Sequence, residues 1–134
     1  MDLNESRTVT KSAVIADDDE TIRSILQYKL SKAGFDLTVC HDGEAGREAL
    51  NDPNIDPDIV ILDVMMPRLK GTQLLRIIRR GELAVASDVP VIMLTSRGRE
   101  ADVLEAFESG ASEYLTKPFS PNELLVRIEK LIGA

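Results

Sequence analysis

Five short apolar runs, each followed by an amphipathic stretch, constrain this chain more than any other feature of its sequence. The runs are Ala13–Ala16, Leu37–Cys40, Ile59–Leu62, Val91–Leu94 and Glu113–Thr116. Strands joined through helices run parallel, so the alternation specifies an α/β fold built on a parallel sheet. Between the first two runs, Ile22, Ile25, Leu26, Leu30 and Ala33 recur at helical spacing, and Gly34 follows as a stop. Asp42 is placed to cap a second helix running to Leu50. A third helix covers Thr72–Arg80, and a fourth runs from Glu100 to Ser109 ahead of Gly110. The segment from Ser120 to Glu123 reads as an N-cap, a proline at the first helical position and the closing acid of a capping box. A length of 134 residues fits one domain, here 13–134, behind a polar, aperiodic tail over 1–12 that reads as flexible.

The first, third and fourth runs are apolar throughout, as strands covered on both faces must be. The second and fifth are mixed and read as edges. Right-handed crossovers then favour the order 2-1-3-4-5, the doubly wound, flavodoxin-like arrangement, with its ligand crevice where strands 1 and 3 meet.

That crevice is where the acids fall. Asp17 and Asp18 follow the first run and Asp63 follows the third. Like charges about 4 Å apart repel by roughly 4 kcal/mol at an effective dielectric near 20, so a fold that gathers three needs a counter-charge. Oxygen-only ligands suit Mg²⁺, which keeps several waters and shares its shell with phosphate. Thr95 closes the fourth run and Lys117 follows the fifth, adding a hydroxyl and an ammonium to the same edge.

Three acids, Thr95 and Lys117, in this order and on these strands, resemble the receiver domain of two-component response regulators over about Ala13 to Leu131. The resemblance implies that Asp63 accepts a phosphoryl group from a sensor histidine kinase or phosphotransfer protein. It implies Mg²⁺ held by Asp18 and Asp63, by Asp17 through water, and by the backbone carbonyl of Met65. Lys117 and Thr95 would contact the phosphoryl oxygens, and Lys117–Pro118 matches a peptide bond that is cis in that family. Thr95 and Tyr114 would form the switch that rearranges the face of helix 4, strand 5 and helix 5 for a downstream output domain or protein. Met65 and Arg97 stand two residues after Asp63 and Thr95, at positions that tune phosphoryl lifetime. Glu123 and Arg127 resemble ion-pairing positions of receivers that dimerise through the same face. Val103 stands where those receivers carry a basic residue, so monomer and homodimer both stay open.

The remaining signals limit the alternatives. A net charge of −7 argues against direct binding of nucleic acid or an anionic membrane by this domain. No apolar run is long enough to span a bilayer, and the single cysteine, Cys40, reads as a packed thiol in a cytoplasmic protein. His41 is the single histidine of the chain and reads as a loop or surface residue. Met65 and Met66 read as loop packing rather than a soft-metal site. Asp19 reads as an N-cap. A haloacid-dehalogenase-type phosphatase would place its nucleophile after the first strand, and a flavodoxin-type module would need a phosphate loop where this chain has Asp17-Asp18-Asp19-Glu20. A structural adaptor that keeps the fold without accepting phosphate is the other alternative. The expected role is a switch rather than an enzyme acting on a separate substrate.

Overall fold

Each apolar run becomes a strand of one parallel sheet in a computed structural model of the protein, which describes residues 10–96 and 100–133. In chain order the elements are β1 (Ser12–Ala16), α1 (Glu20–Lys32), β2 (Asp36–Cys40), α2 (Gly43–Leu50) and β3 (Ile59–Asp63), followed by α3 (Gly71–Arg79), β4 (Val91–Thr95), α4 (Glu100–Glu108), β5 (Glu113–Thr116) and α5 (Pro121–Ile132). The strand order is β2-β1-β3-β4-β5 and every pairing is parallel. The continuously apolar β1, β3 and β4 are central, and the mixed β2 and β5 are the edges, as their patterns require.

Alternation along the strands divides the interior into two layers. Val14, Ala16, Val60, Leu62, Val91 and Met93 face Leu50 of α2, Leu74, Leu75 and Ile78 of α3, and Ala106 of α4. Ile15, Ile61, Ile92 and Leu94 face Leu26 and Leu30 of α1 and Leu124 and Ile128 of α5. With both faces of the sheet covered, the ends of its strands are left as the place for chemistry.

Most helix boundaries follow their local signals. Asp19 caps α1 by accepting from the N–H groups of Thr21 (2.8 Å) and Ile22 (3.3 Å), and Asp42 caps α2 through Ala45 (2.7 Å). Ser120 caps α5 by accepting from Glu123 N–H (3.3 Å). The reciprocal half of the expected capping box is diverted, because the Glu123 carboxylate takes a bond from Arg127 Nη2 (2.9 Å). β1 begins at Ser12 rather than Ala13, since Ser12 pairs with Asp36 and donates its N–H to Asp58 Oδ2 (2.8 Å). The rest of the expected tail, residues 1–9, lies outside the described residues.

One long side chain does work that no local pattern signals. Arg79 donates to the carbonyls of Gly110 (2.9 Å), Ser87 (2.9 Å) and Val89 (2.6 Å), tying the segment between α3 and β4 to the turn before β5. Burial pulls its pKa down, with Asp88 opposing.

Candidate functional site

The register of β1 and β3 sets the geometry of the acids. Ala16 lies beside Leu62, so the next residues, Asp17 and Asp63, come abreast at the carboxyl edge of the sheet. Asp17 N–H still reaches the Cys40 carbonyl on β2 (3.2 Å), and its side chain is wholly buried. Asp18, one residue further into the turn, is exposed. Oxygens of Asp17, Asp18 and Asp63 all lie within 4.8 Å of one another. The turn that carries them is held from two sides. Asp17 Oδ1 accepts from Asp19 N–H (2.9 Å), and Arg23 Nη1 on α1 donates to the Asp17 carbonyl (2.9 Å).

β5 delivers the ammonium. Lys117 N–H donates to the Thr95 carbonyl (2.6 Å), joining the ends of β4 and β5, and the Lys117–Pro118 bond is cis. Lys117 Nζ lies 2.9 Å from Asp17 Oδ2 and 3.5 Å from Asp63 Oδ1. Asp17 Oδ2 still lacks a well-aligned hydrogen bond, so charge rather than lone-pair geometry holds this contact. Burial works against the ammonium, but Asp17 and Asp63 outweigh it and hold Lys117 above the ordinary lysine range.

The carboxyl of Asp63 is under opposing influences. Burial first, then the Asp17 charge, push its carboxyl up to about 7 against the opposing pull of Lys117. One ammonium on its own does not offset desolvation plus a neighbouring carboxylate. With all four groups ionised, three carboxylates and one ammonium leave two negative charges in the pocket. The donor set fits a small divalent cation: the ligands are hard oxygens, one of them a buried oxygen without a good partner. Octahedral ligands about 2.1 Å from a Mg²⁺ sit roughly 3–4 Å apart, so a 4.8 Å spread needs only a small inward movement or a bridging water.

The family model for the response regulator receiver domain matches residues 13–129. The chain belongs to this family. It is 37% identical over 125 residues to the alkaline phosphatase synthesis transcriptional regulatory protein PhoP of Bacillus subtilis, covering 92% of this chain and 49% of that protein. The chain thus spans about half the length of this curated relative. Among solved structures it is similar to the receiver domain of the Francisella response regulator 1452, with a TM-score of 0.84, 34% identity and coverage of 92% and 98% of the two chains. It is also similar to the receiver domain of the sensor histidine kinase PA1611 from Pseudomonas aeruginosa (TM-score 0.79, 27% identity, 94% and 100% coverage), a structure with magnesium coordinated in the active-site cleft.

In this receiver Thr95 is buried at the end of β4, one residue beyond the Leu94 that pairs with Asp63. Tyr114 lies beside Met93 in the β4–β5 register and packs, half-buried, on the layer under α2, α3 and α4. Met66 is buried with the same layer, and Met65 is exposed. Arg97 lies outside the described residues. Arg127 pairs within the chain, with Glu113 (2.6 Å) and Glu123 (2.9 Å), and Val103 is half-buried. Cys40 is buried, and its thiol is pushed up to about 11 by desolvation and then by Asp42 and Glu48, which makes it unreactive. His41 is exposed, 3.5 Å from Asp42. No helix among the described residues is long and apolar enough to cross a membrane.

Sequence reasoning missed two arginines that brace the site, Arg23 and Arg68. Arg23 is half-buried six residues after Asp17, a spacing that could have suggested a return contact. Arg68, 3.0 Å from Asp42 Oδ2, joins two loops far apart in sequence and had no local signal.

Proposed function

We propose that this receiver is a phosphorylation-dependent signalling switch whose acceptor is Asp63. The observation that carries the reading is the convergence of Asp17, Asp18, Asp63 and Lys117 in one pocket with too little positive charge of its own. Asp18 and Asp63 would hold Mg²⁺ directly, Asp17 through water, and the Met65 carbonyl would complete the protein ligands. When bound, the cation neutralises charge that gathers on the phosphoryl oxygens during transfer.

A carboxylate oxygen of Asp63 attacks the phosphorus of a phosphohistidine on a sensor kinase or phosphotransfer protein. The P–N bond breaks as the P–O bond forms, and the released imidazole takes a proton from solvent. Lys117 already lies within 3.5 Å of the attacking carboxylate and can pair with a phosphoryl oxygen. The Thr95 hydroxyl would hydrogen-bond another. Moving Thr95 toward the phosphoryl group would free space on the α4 side of the sheet, where Tyr114 packs, and so re-form the α4–β5–α5 face. An output domain or separate protein would read that face in the cytoplasm.

Intact mass after incubation with Mg²⁺ and acetyl phosphate tests this reading. A gain of one phosphoryl group, lost with chelator and lost in Asp63→Asn, is the expected result. If Asp63→Asn signals like the parent in cells, the adaptor reading replaces it.

A further inference from the structure

The loop after the acceptor strand is strained at one residue and braced at that residue. Arg68 has φ +74, and Leu69 N–H donates to the Pro67 carbonyl (2.8 Å), so Arg68 is the centre of a positive-φ γ-turn. This is a rare and strained form, and an arginine side chain has no intrinsic preference for it. Its Nε lies 3.0 Å from Asp42 Oδ2. The two partners differ sharply in exposure: the Arg68 side chain is 72% accessible and that of Asp42 only 7%. The acid is the fixed socket, because its Oδ1 is committed to Ala45 N–H at the start of α2.

The backbone around the socket is equally close to the loop. A Cβ added at Gly43 would fall 1.9 Å from the Leu69 carbonyl oxygen, so only glycine lets α2 start here. At the base of the loop, Gly71 N–H donates to the Val64 carbonyl (2.8 Å), and a Cβ at Gly71 would fall 2.0 Å from the carbonyl oxygen of Asp63 itself. The loop from 64 to 71 is therefore pinned at its base by backbone and at its tip by one side-chain pair. His41 Nδ1, 3.5 Å from the same Oδ2 and largely exposed, is a weaker neighbour of that acid.

We infer that Asp42 and Arg68 form a latch that sets the acceptor loop, making both of them positioning residues for the cation and phosphoryl group beside Asp63. The inference rests on the reading of that site proposed above. Neither residue touches the reacting atoms; both act through the loop that carries the Met65 carbonyl.

Amide hydrogen exchange in chelator, followed by an Mg²⁺ titration on NMR spectra, tests the latch in the parent, Asp42→Asn, Arg68→Gln and the double variant. Asparagine caps a helix as well as aspartate does, so α2 stays formed. Leu69 should exchange about 5–10-fold faster in each single variant and no faster in the double, the mark of one shared interaction. The Mg²⁺ Kd should rise about 3–10-fold in each single variant, again without a further rise in the double. Arg68→Gly accepts φ +74 without strain and should recover much of the lost protection. Unchanged Leu69 exchange in either single variant, or losses that add in the double, would overturn the latch. Faster exchange with unchanged Mg²⁺ affinity would overturn the positioning role. A parent that binds no Mg²⁺ and takes up no phosphoryl group would sink the reading of the site instead, and the exchange data would still decide the latch.

Discussion

Asp42 and Asp63 are both buried carboxylates at the carboxyl edge of the same sheet, one just after β2 and the other closing β3, and their surroundings treat them in opposite ways. Asp42 sits at a helix N-terminus, accepts Ala45 N–H, and has Arg68 and His41 beside it; its pKa is lowered, the Ala45 bond being the largest cause. Asp63 has one ammonium at 3.5 Å and two further acids in reach, and its carboxyl is pushed up to about 7. A buried acid whose lone pairs and charge are both answered holds a fold together. A buried acid left short of positive charge weakens the fold until something from outside supplies that charge.

The comparison implies opposite pH dependences. A raised folded pKa means that the native state holds a proton the unfolded chain has lost, so stability falls as pH rises from about 4 to about 7 through Asp63. The largest effect should therefore come from Asp63→Asn. In chelator at pH 8 it should stabilise the protein by about 2–4 kcal/mol, with less than half of that left at pH 5, read by thermal melts across pH. Saturating Mg²⁺ should shrink the difference by stabilising the parent. A variant no more stable than the parent at pH 8 would show that Asp63 is not strained by charge.

Lys117→Gln attacks the same pocket from the cationic side. It leaves Asp17 buried with no cation near its Oδ2 and should destabilise the protein by about 2–3 kcal/mol at pH 8. The loss should ease toward pH 5 as Asp63 takes up a proton. If the loss were the same at both values, Lys117 would matter to the fold through packing rather than charge.

Asp42→Ala should cost about 1–2 kcal/mol by removing the cap and its ion pair, while Asp42→Asn should cost about 1 kcal/mol, because the cap survives and only the pair with Arg68 is lost. The sign of the pH effect reverses here. A lowered folded pKa contributes stability that is present above about pH 4 and lost as the acid protonates below it. Melts of Asp42→Asn should therefore lose part of the acid limb of the parent's pH profile. Asp63→Asn should lose part of the neutral limb.

Strand order was legible because burial on both faces demands unbroken apolar runs, and only β1, β3 and β4 have them. Asp17, Asp18, Asp63 and Lys117 were legible as a group because each follows a strand directly, and register then brings them together. Asp19, Asp42 and Ser120 were legible as caps because capping is decided within about four residues. What could not be read depends on groups distant in the chain. The raised pKa of Asp63 comes first from its burial and then from Asp17, 46 positions earlier, with Lys117 opposing. The turn at Arg68 is set by α2, and the carboxylate of Glu123 is drawn off its capping box by Arg127.

Arg127 supplies the smallest effect and the control for the others. Its bonds to Glu113 and Glu123 are short, but its side chain is 35% exposed and those of its partners are 28% and 47% exposed. Water already solvates all three groups, so the geometry overstates what the pairs are worth. Arg127→Ala should cost about 0.2–1 kcal/mol in low salt. In about 0.5 M NaCl most of that difference should vanish, because screening shortens the reach of exposed charges to a few ångströms. The cost of Asp42→Ala should persist in the same salt, since a buried cap bond is not screened. If Arg127→Ala were as costly as Asp42→Ala and equally insensitive to salt, exposure would not separate the two kinds of acid. Burial and the identity of the answering group would then have to be weighed afresh.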